Sequence, residues 1–206
     1  MKFRPKISRP AASAPGGAGS VRIIGGAWKR RTLEVVDAPG LRPTPGRVRE
    51  TLFNWLTHAF DGAFETRTAL DLFAGSGALG IEAASRGART VTLVDNNPLA
   101  LAALRRAREN LAAPQLEILA GDGLAVARSL IGAGRHFGIV LLDPPFDQHW
   151  LADALPLAVS LCESSGFVYV ESETPLSDDT LATLGLDRYR ADKAGEVFYH
   201  LLRRNK

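Results

Sequence analysis

Asp71-Leu-Phe-Ala-Gly-Ser-Gly-Ala-Leu-Gly80 is the stretch that decides the fold. Thr68–Phe73 leads into it as a short, mostly apolar run, and Gly77–Arg86 leaves it with helical character. A buried strand, a glycine turn and a helix in that order open a doubly wound sheet. Ligands of such sheets lie beyond the carboxyl ends of the strands. Gly75, Gly77 and Gly80 spell GxGxxG. Glycine there lets the backbone adopt positive φ and approach a ligand closely. Taken alone, the same spacing also describes a plain tight turn.

Downstream the alternation continues. Strands are expected at Thr90–Asp95, Leu116–Ala120, Phe137–Leu142 and Gly166–Glu171, with helices at Pro98–Leu111, Gly123–Ile131, His149–Cys162 and Asp178–Leu184. The strands are nearly continuous apolar runs, as required when helices cover both faces of a parallel sheet. The end differs. Leu186–Arg190 and Val197–Leu202 flank Lys193-Ala-Gly-Glu196 with no room for a crossover helix, so they read as an antiparallel hairpin. Upstream, Val21–Val36 carries short β-like runs around Gly25-Gly26. Val48, Leu52, Trp55 and Leu56 then mark one face of a helix after a proline-rich turn. The expected fold is α/β: a mostly parallel seven-stranded sheet with a C-terminal antiparallel hairpin and a small N-terminal ribbon and helix. The expected organisation is a disordered basic tail over 1–20, an extension over 21–60 and the α/β domain over 61–206.

The second strand ends in Asp95, 15 residues after Gly80, where an acid can accept hydrogen bonds from both hydroxyls of a ribose. The third leads to Gly121-Asp122-Gly123, where a second carboxylate can meet an adenine amino group. An adenosine-containing ligand satisfies both. In the dinucleotide fingerprint the glycines end the strand directly, so that a helix N-terminus can hold a pyrophosphate. Here Asp71 closes the strand and three residues separate it from Gly75. A carboxylate suits the cationic amino-acid end of S-adenosylmethionine better than a pyrophosphate. With Phe73, Asn96, Gly123 and Arg47, the residues Asp71, Gly75, Gly77, Asp95 and Asp122 make up the expected cofactor set.

Asp143-Pro-Pro-Phe146 follows the fourth strand, at the same sheet edge. An exocyclic base amine is a poor nucleophile because its lone pair is delocalised into the ring. Two acceptors that hold its two hydrogens turn the lone pair toward a methyl group. Asp143 supplies one acceptor and the Pro144 carbonyl the other, stiffened by Pro144 and Pro145. Phe146 offers a flat surface for a flipped base.

Charge is uneven. Residues 1–60 hold 11 Lys/Arg against 3 Asp/Glu, and the remainder is net acidic. A basic N-terminal third on an acidic body suits a polyanion partner. The one cysteine, Cys162, can form neither an internal disulfide nor a cysteine-based zinc site. The four histidines lack metal-ligand spacing, so no metal is expected. No apolar run approaches a membrane span or a signal-peptide core, and a cytoplasmic protein that does not engage membranes is expected.

The glycine loop, Asp95 and Asp143-Pro-Pro-Phe146 resemble the Rossmann-like methyltransferases that act on amino nitrogens. With Val21-Arg-Ile-Ile-Gly-Gly-Ala-Trp28, Leu41-Arg-Pro-Thr44, Arg47-Val-Arg-Glu-Thr-Leu-Phe-Asn54 and Tyr169-Val-Glu-Ser-Glu173, the chain is similar over residues 21–203 to the RsmD family, bacterial 16S rRNA guanine-N2 methyltransferases. The resemblance implies S-adenosylmethionine as donor and S-adenosylhomocysteine as product. It implies the small ribosomal subunit or its 16S rRNA as partner, and a guanine held by Asp143, Pro144 and Phe146. By position, Arg42 to Glu50 closes over the cofactor, while Arg22, Trp28, Lys29, Arg30, Arg31 and Arg42 meet the nucleic acid. A monomer is assumed.

An adenine-N6 or protein glutamine methyltransferase usually carries Asn where Asp143 stands. A nicotinamide-dependent oxidoreductase would need a His or Tyr-Lys pair that is not evident. A non-catalytic RNA-binding protein would need neither motif.

Overall fold

The computed structural model describes residues 19–36, 44–144 and 150–205. In chain order the elements are β1 (Ser20–Arg22), β2 (Thr32–Glu34), α1 (Gly46–Ala59), β3 (Thr68–Asp71), α2 (Ala78–Ser85), β4 (Thr90–Asp95), α3 (Pro98–Asn110), β5 (Leu116–Ala120), α4 (Gly123–Gly132), β6 (Phe137–Leu142), α5 (Trp150–Leu161), β7 (Cys162–Ser172), α6 (Asp178–Thr183), β8 (Leu186–Ala194) and β9 (Val197–Arg204). Among the described residues no helix is long and apolar enough to cross a membrane.

All six residues of β6 are buried, because side chains that alternate between two faces both meet helices. Ile139 and Leu141 point into one core together with Ala69, Phe167 and Tyr169, under α1, α2 and α3. Val140 and Leu142 point into the other with Leu70, Val168 and Val170, under α4, α5 and α6. The result is a three-layer sandwich. The sheet order is β5-β4-β3-β6-β7-β9-β8, parallel through β7, with β9 antiparallel to both β7 and β8. This is the expected sheet with its terminal hairpin.

The helix starts are specified locally. Asn97 caps α3 by accepting from the Leu99 and Ala100 amides, with Pro98 at the first helical position. Asp122 caps α4 through the Ala125 amide, and Ser177 caps α6 through the Thr180 amide.

Two boundaries differ from expectation by four residues, and the others agree within two. β7 starts at Cys162, four residues before the expected Gly166, and its register on β6 shifts between Phe137 and Ile139. A Cβ on Gly166 would stand 2.8 Å from Cys162 Sγ and 2.9 Å from the Gly138 carbonyl oxygen. Gly166 thus lets the irregular pairing close, a feature that apolar patterning does not register. β8 runs to Ala194 rather than Arg190, because backbone pairing continues through its exposed, charged half.

The N-terminal extension is tied closely to the body. β1 and β2 form a separate two-stranded antiparallel ribbon. Its loop lies on the last turn of α2. Ala27 N donates to the Ser85 carbonyl (2.7 Å), Trp28 N donates to Ser85 Oγ (3.0 Å), and Ser85 Oγ donates to the Gly25 carbonyl (2.6 Å). Gly26 has φ +75°, and a Cβ there would fall 1.8 Å from the Ser85 carbonyl oxygen. Only glycine fits. Beneath it the fully buried Glu82 accepts from Ile24 N and Gly25 N (2.8 Å each) and from Arg86 Nε (2.9 Å), with Arg49 Nη1 at 3.7 Å. Helix α1 contributes Leu52, Phe53 and Leu56 to the same core as α2 and α3. Of its expected face, Val48, Leu52 and Leu56 are buried, and Trp55 is half-buried and stacked on Tyr199 at 5.5 Å.

Candidate active site

Because β3, β4 and β6 are parallel and adjacent, their final carboxylates come to one edge. Asp71 ends β3, Asp95 ends β4, and Asp143 follows β6 directly. The turn after β3 is shaped by Gly75 (φ +51°) and Gly77 (φ +76°), conformations that other residues adopt only at a cost. The glycines also make room. A Cβ on Gly77 would meet Ile81 Cδ1 at 2.6 Å, and one on Gly80 would meet Leu93 Cδ2 at 2.3 Å.

Asp71 Oδ2 accepts from the Gly80 amide (3.0 Å), while Oδ1 is buried without a hydrogen-bond partner among the described residues. Burial pushes its carboxyl up to about 7, against the Gly80 hydrogen bond and with help from the charges of Asp95 and Glu171. Asp95 braces the loop. Oδ2 accepts from Gly75 N (2.7 Å) and Oδ1 from Asn97 N (2.8 Å). Each of these oxygens keeps a lone pair for a further donor, such as a ribose hydroxyl. Asn96 is exposed beside it; the neighbouring Asn97 is the one built into the helix cap.

Asp122 spends Oδ1 on the α4 cap. Gly123 has its vacant Cβ position filled by the Leu72 carbonyl oxygen (2.8 Å) and the Phe73 ring (3.0 Å), so its small size serves loop-to-loop packing. Phe73 lies edge-on to Trp150, with ring centroids 5.9 Å apart. Arg47 is exposed in the first turn of α1, where its charge acts on Asp192 and Tyr199 of the terminal hairpin.

Asp143 is half-buried and Pro144 buried. Pro145, Phe146 and Arg42 lie outside the described residues, as does the expected tail through residue 18. Thr44 Oγ1 donates to Asp143 Oδ2 (2.9 Å), so the segment ahead of α1 reaches the end of β6. Glu171, in β7, is buried and accepts the Tyr169 hydroxyl at Oε1 (2.9 Å). Burial raises the Glu171 carboxyl, and the nearby Tyr169 and Thr44 hydroxyls pull it back down in part. Burial first, and then the Glu171 charge, hold the Asp143 carboxyl well above the usual carboxylate range; Thr44 pulls the other way.

Glu171, Tyr169 and Thr44 were absent from the expected site. The signal for Glu171 was an acid closing an otherwise apolar strand, Phe167-Val-Tyr-Val-Glu171, the same arrangement that drew attention to Asp71 and Asp95.

The basic residues lie elsewhere. Arg22, Lys29, Arg30 and Arg31 are exposed, and Trp28 is half-buried against the core. Arg31 Nη2 donates to the carbonyl of Asn110, the last residue of α3 (2.6 Å), and Arg106 pairs with Glu34 (2.8 Å). A groove of about 730 Å³ between the ribbon and α3 is lined by Arg30, Arg31, Arg106 and Glu34, among others. It sits where α2 and α3 end, at the sheet edge opposite the carboxylates.

A family model described as Conserved hypothetical protein 95 matches residues 21–203. Ribosomal RNA small subunit methyltransferase D of Escherichia coli K12 is 38% identical over 194 residues, covering 91% of this chain and 92% of that protein. The chain belongs to this family, the RsmD family. The methyltransferase D of Haemophilus influenzae is 38% identical over 166 residues, covering 77% of this chain and 82% of its own. Among solved structures, yhhF of E. coli, described as a candidate methyltransferase, superposes with a TM-score of 0.72 at 33% identity, covering 91% of this chain and 99% of that one. A Thermus thermophilus protein, TTHA0928, gives 0.73 at 26% identity, covering 89% and 99%. The fold is that of the RsmD-family methyltransferases, and this member is a methyltransferase.

Proposed function

We propose that the protein transfers a methyl group from S-adenosylmethionine to the exocyclic N2 amine of a guanine in 16S rRNA. The observation that carries the reading is the juxtaposition of two motifs on adjacent strands. The glycine turn with Asp71 and Asp95 closes β3 and β4, and Asp143-Pro144 closes β6. The names of the E. coli and H. influenzae relatives agree with small-subunit RNA as substrate.

The residues present fit the donor. Asp71 Oδ1 is a buried oxygen without a hydrogen-bond partner among the described residues, suited to the α-ammonium group. Asp95 keeps acceptor capacity for the ribose, and the glycines leave the backbone open to close approach. Asn96, Asp122 and Phe73 stand at the same edge as candidates for the adenine end. S-adenosylmethionine supplies a methyl group on a sulfonium, already activated. The protein's task is therefore alignment of the accepting nitrogen. Asp143 Oδ1 and the Pro144 carbonyl accept the two amine hydrogens and turn the lone pair outward, with Pro145 and Phe146 completing the pocket. The extension over 21–60 supplies the RNA contacts. Arg22, Lys29, Arg30 and Arg31 meet phosphates, Trp28 braces the ribbon behind them, and the Arg42-to-Glu50 segment with Arg47 lies over the donor. The protein works as a cytoplasmic monomer.

Methyl transfer from labelled S-adenosylmethionine to small subunits from cells lacking the enzyme, followed by nucleoside analysis, tests this. N2-methylguanosine in 16S rRNA is expected; label in adenine or in protein would move the substrate class. Asp143→Ala should lower single-turnover methylation at least 10²-fold while S-adenosylmethionine affinity changes little. An Asp143→Ala enzyme of full activity would overturn the alignment mechanism.

A further inference from the structure

We propose that Thr44 is a positioning residue for methyl transfer: its hydroxyl fixes the Asp143 carboxylate, and the buried Arg49 holds Thr44 in place. The inference rests on the reading above, in which Asp143 accepts a hydrogen of the reacting amine, and adds what aims that acceptor.

The local sequence sets Thr44. It precedes Pro45, which biases its backbone toward an extended conformation, and Gly46 then opens α1. Arg49, at the end of the first turn of that helix, folds back over the segment. Its guanidinium meets three parts of the chain. Nε donates to the Thr44 carbonyl (3.3 Å), Nη2 donates to the Arg22 carbonyl in β1 (3.1 Å), and Nη1 lies 3.7 Å from Glu82 Oε2 in α2. Nη1 has no hydrogen-bond partner among the described residues, and the Glu82 charge is what faces it. Arg49, Thr44 and Glu82 are 3%, 5% and 0% exposed, so each of these contacts is costly to break. A planar fork serves three directions at once, and the single ammonium of a lysine does not.

With its backbone held, Thr44 delivers its hydroxyl. Oγ1 donates to Asp143 Oδ2 at 2.9 Å, across 99 residues of sequence. The bond has two consequences. It occupies Oδ2 and leaves Oδ1 as the oxygen for the amine. It also favours the ionised carboxyl, which accepts at both oxygens. A protonated carboxyl can carry its hydrogen on Oδ1 and present a donor where the amine needs an acceptor. The surroundings of Asp143 work the other way: burial, Glu171 on β7 and Asp71 on β3 all raise its pKa, and the Thr44 hydroxyl lowers it. Tyr169 on β7 also feels its charge. Thr44 acts through Asp143 and needs no contact with the base.

The test uses the full chain with 16S rRNA in small subunits, read in single turnover across neutral pH. Thr44→Val keeps the shape and removes the donor. Its methylation rate is expected to fall about tenfold at neutral pH, with unchanged melting temperature and unchanged affinity for S-adenosylmethionine and RNA. The acid limb of its rate profile should move to higher pH, because the carboxylate has lost a stabilising donor, so the deficit narrows as pH rises. Thr44→Ser should restore both the rate and the limb. Arg49→Lys should slow the wild type in the same way and add nothing in the Thr44→Val background. A wild-type rate in Thr44→Val, a loss equal at every pH, or losses that multiply in the Arg49→Lys/Thr44→Val double variant would overturn the proposal. If Arg49→Lys does not fold, Arg49→Gln/Glu82→Gln, which removes both buried charges together, takes its place. A wild-type protein that fails to methylate 16S rRNA, or a fully active Asp143→Ala, would instead overturn the reading on which the proposal rests.

Discussion

Asp71 is a carboxyl group with one oxygen committed to the Gly80 amide and the other without a hydrogen-bond partner among the described residues. Burial raises it to about 7, so near neutrality a proton and a cation compete for it. Donor binding through an α-ammonium group needs the ionised form. S-adenosylmethionine affinity is therefore expected to weaken as pH falls below about 7, up to tenfold per unit, and titration calorimetry between pH 5.5 and 8.5 would show it. Asp71→Asn should bind weakly with little pH dependence. The same group works against folding. An acid whose folded pKa is raised from 3.8 to about 7 favours the native state at low pH, and this contribution is lost as pH rises through that window. Asp71→Asn should thus be the more stable protein above pH 7 in denaturant titrations, a trade of stability for donor binding at one residue. Asp71, Asp95 and Asp143 were legible in the sequence because strand-terminal acids beside a glycine turn or a Pro-Pro have few other uses. Thr44 was not, because its part depends on a hydrogen bond to Asp143 across 99 residues that no local spacing encodes.

At the scale of elements, the parallel sheet was readable from its strands. Runs such as Phe137–Leu142 are apolar at successive positions, and that pattern follows from burial on both faces. The join between the ribbon and α2 was less so. Gly25-Gly26 looked like a turn between two strands, yet its use is to let the ribbon lie on the Ser85 carbonyl. Glu82, a single acid in a mostly apolar helix, is fully buried beneath two backbone amides and two arginines. Gly26→Ala is expected to lower stability by at least about 2 kcal/mol in urea unfolding, since the Cβ meets backbone and φ is positive. The same change at Gly62, with positive φ but nothing within 4 Å, should cost only about 1 kcal/mol. Equal costs at the two glycines would mean that the ribbon does not depend on this contact.

Across the whole molecule, the acidic edge of the sheet and the basic ribbon stand at opposite ends of α3, whose 13 residues span about 20 Å. Removing the charges of Lys29, Arg30 and Arg31 together should weaken 16S rRNA binding and flatten its dependence on log salt by about 2–3 units, leaving S-adenosylmethionine affinity unchanged. Unchanged RNA binding would put the phosphate contacts elsewhere. Arg30 sharpens the comparison. It sits at φ +73°, a conformation costly for arginine and easy for glycine. Arg30→Gly should therefore hold or raise the melting temperature while RNA binding falls, which separates a role in recognition from one in folding.

The separation of the two ends makes the protein a calliper. One jaw is the carboxylate edge and the other the arginine-lined groove, and α3 is the fixed bar between them. Such a tool grips only what is long enough to touch both jaws. On the function proposed above, a trinucleotide carrying the right guanine would reach one jaw alone, whereas a folded RNA that spans the bar would be held in register. On that proposed function, selection of one guanine among many would become a measurement of distance, set by the length of α3.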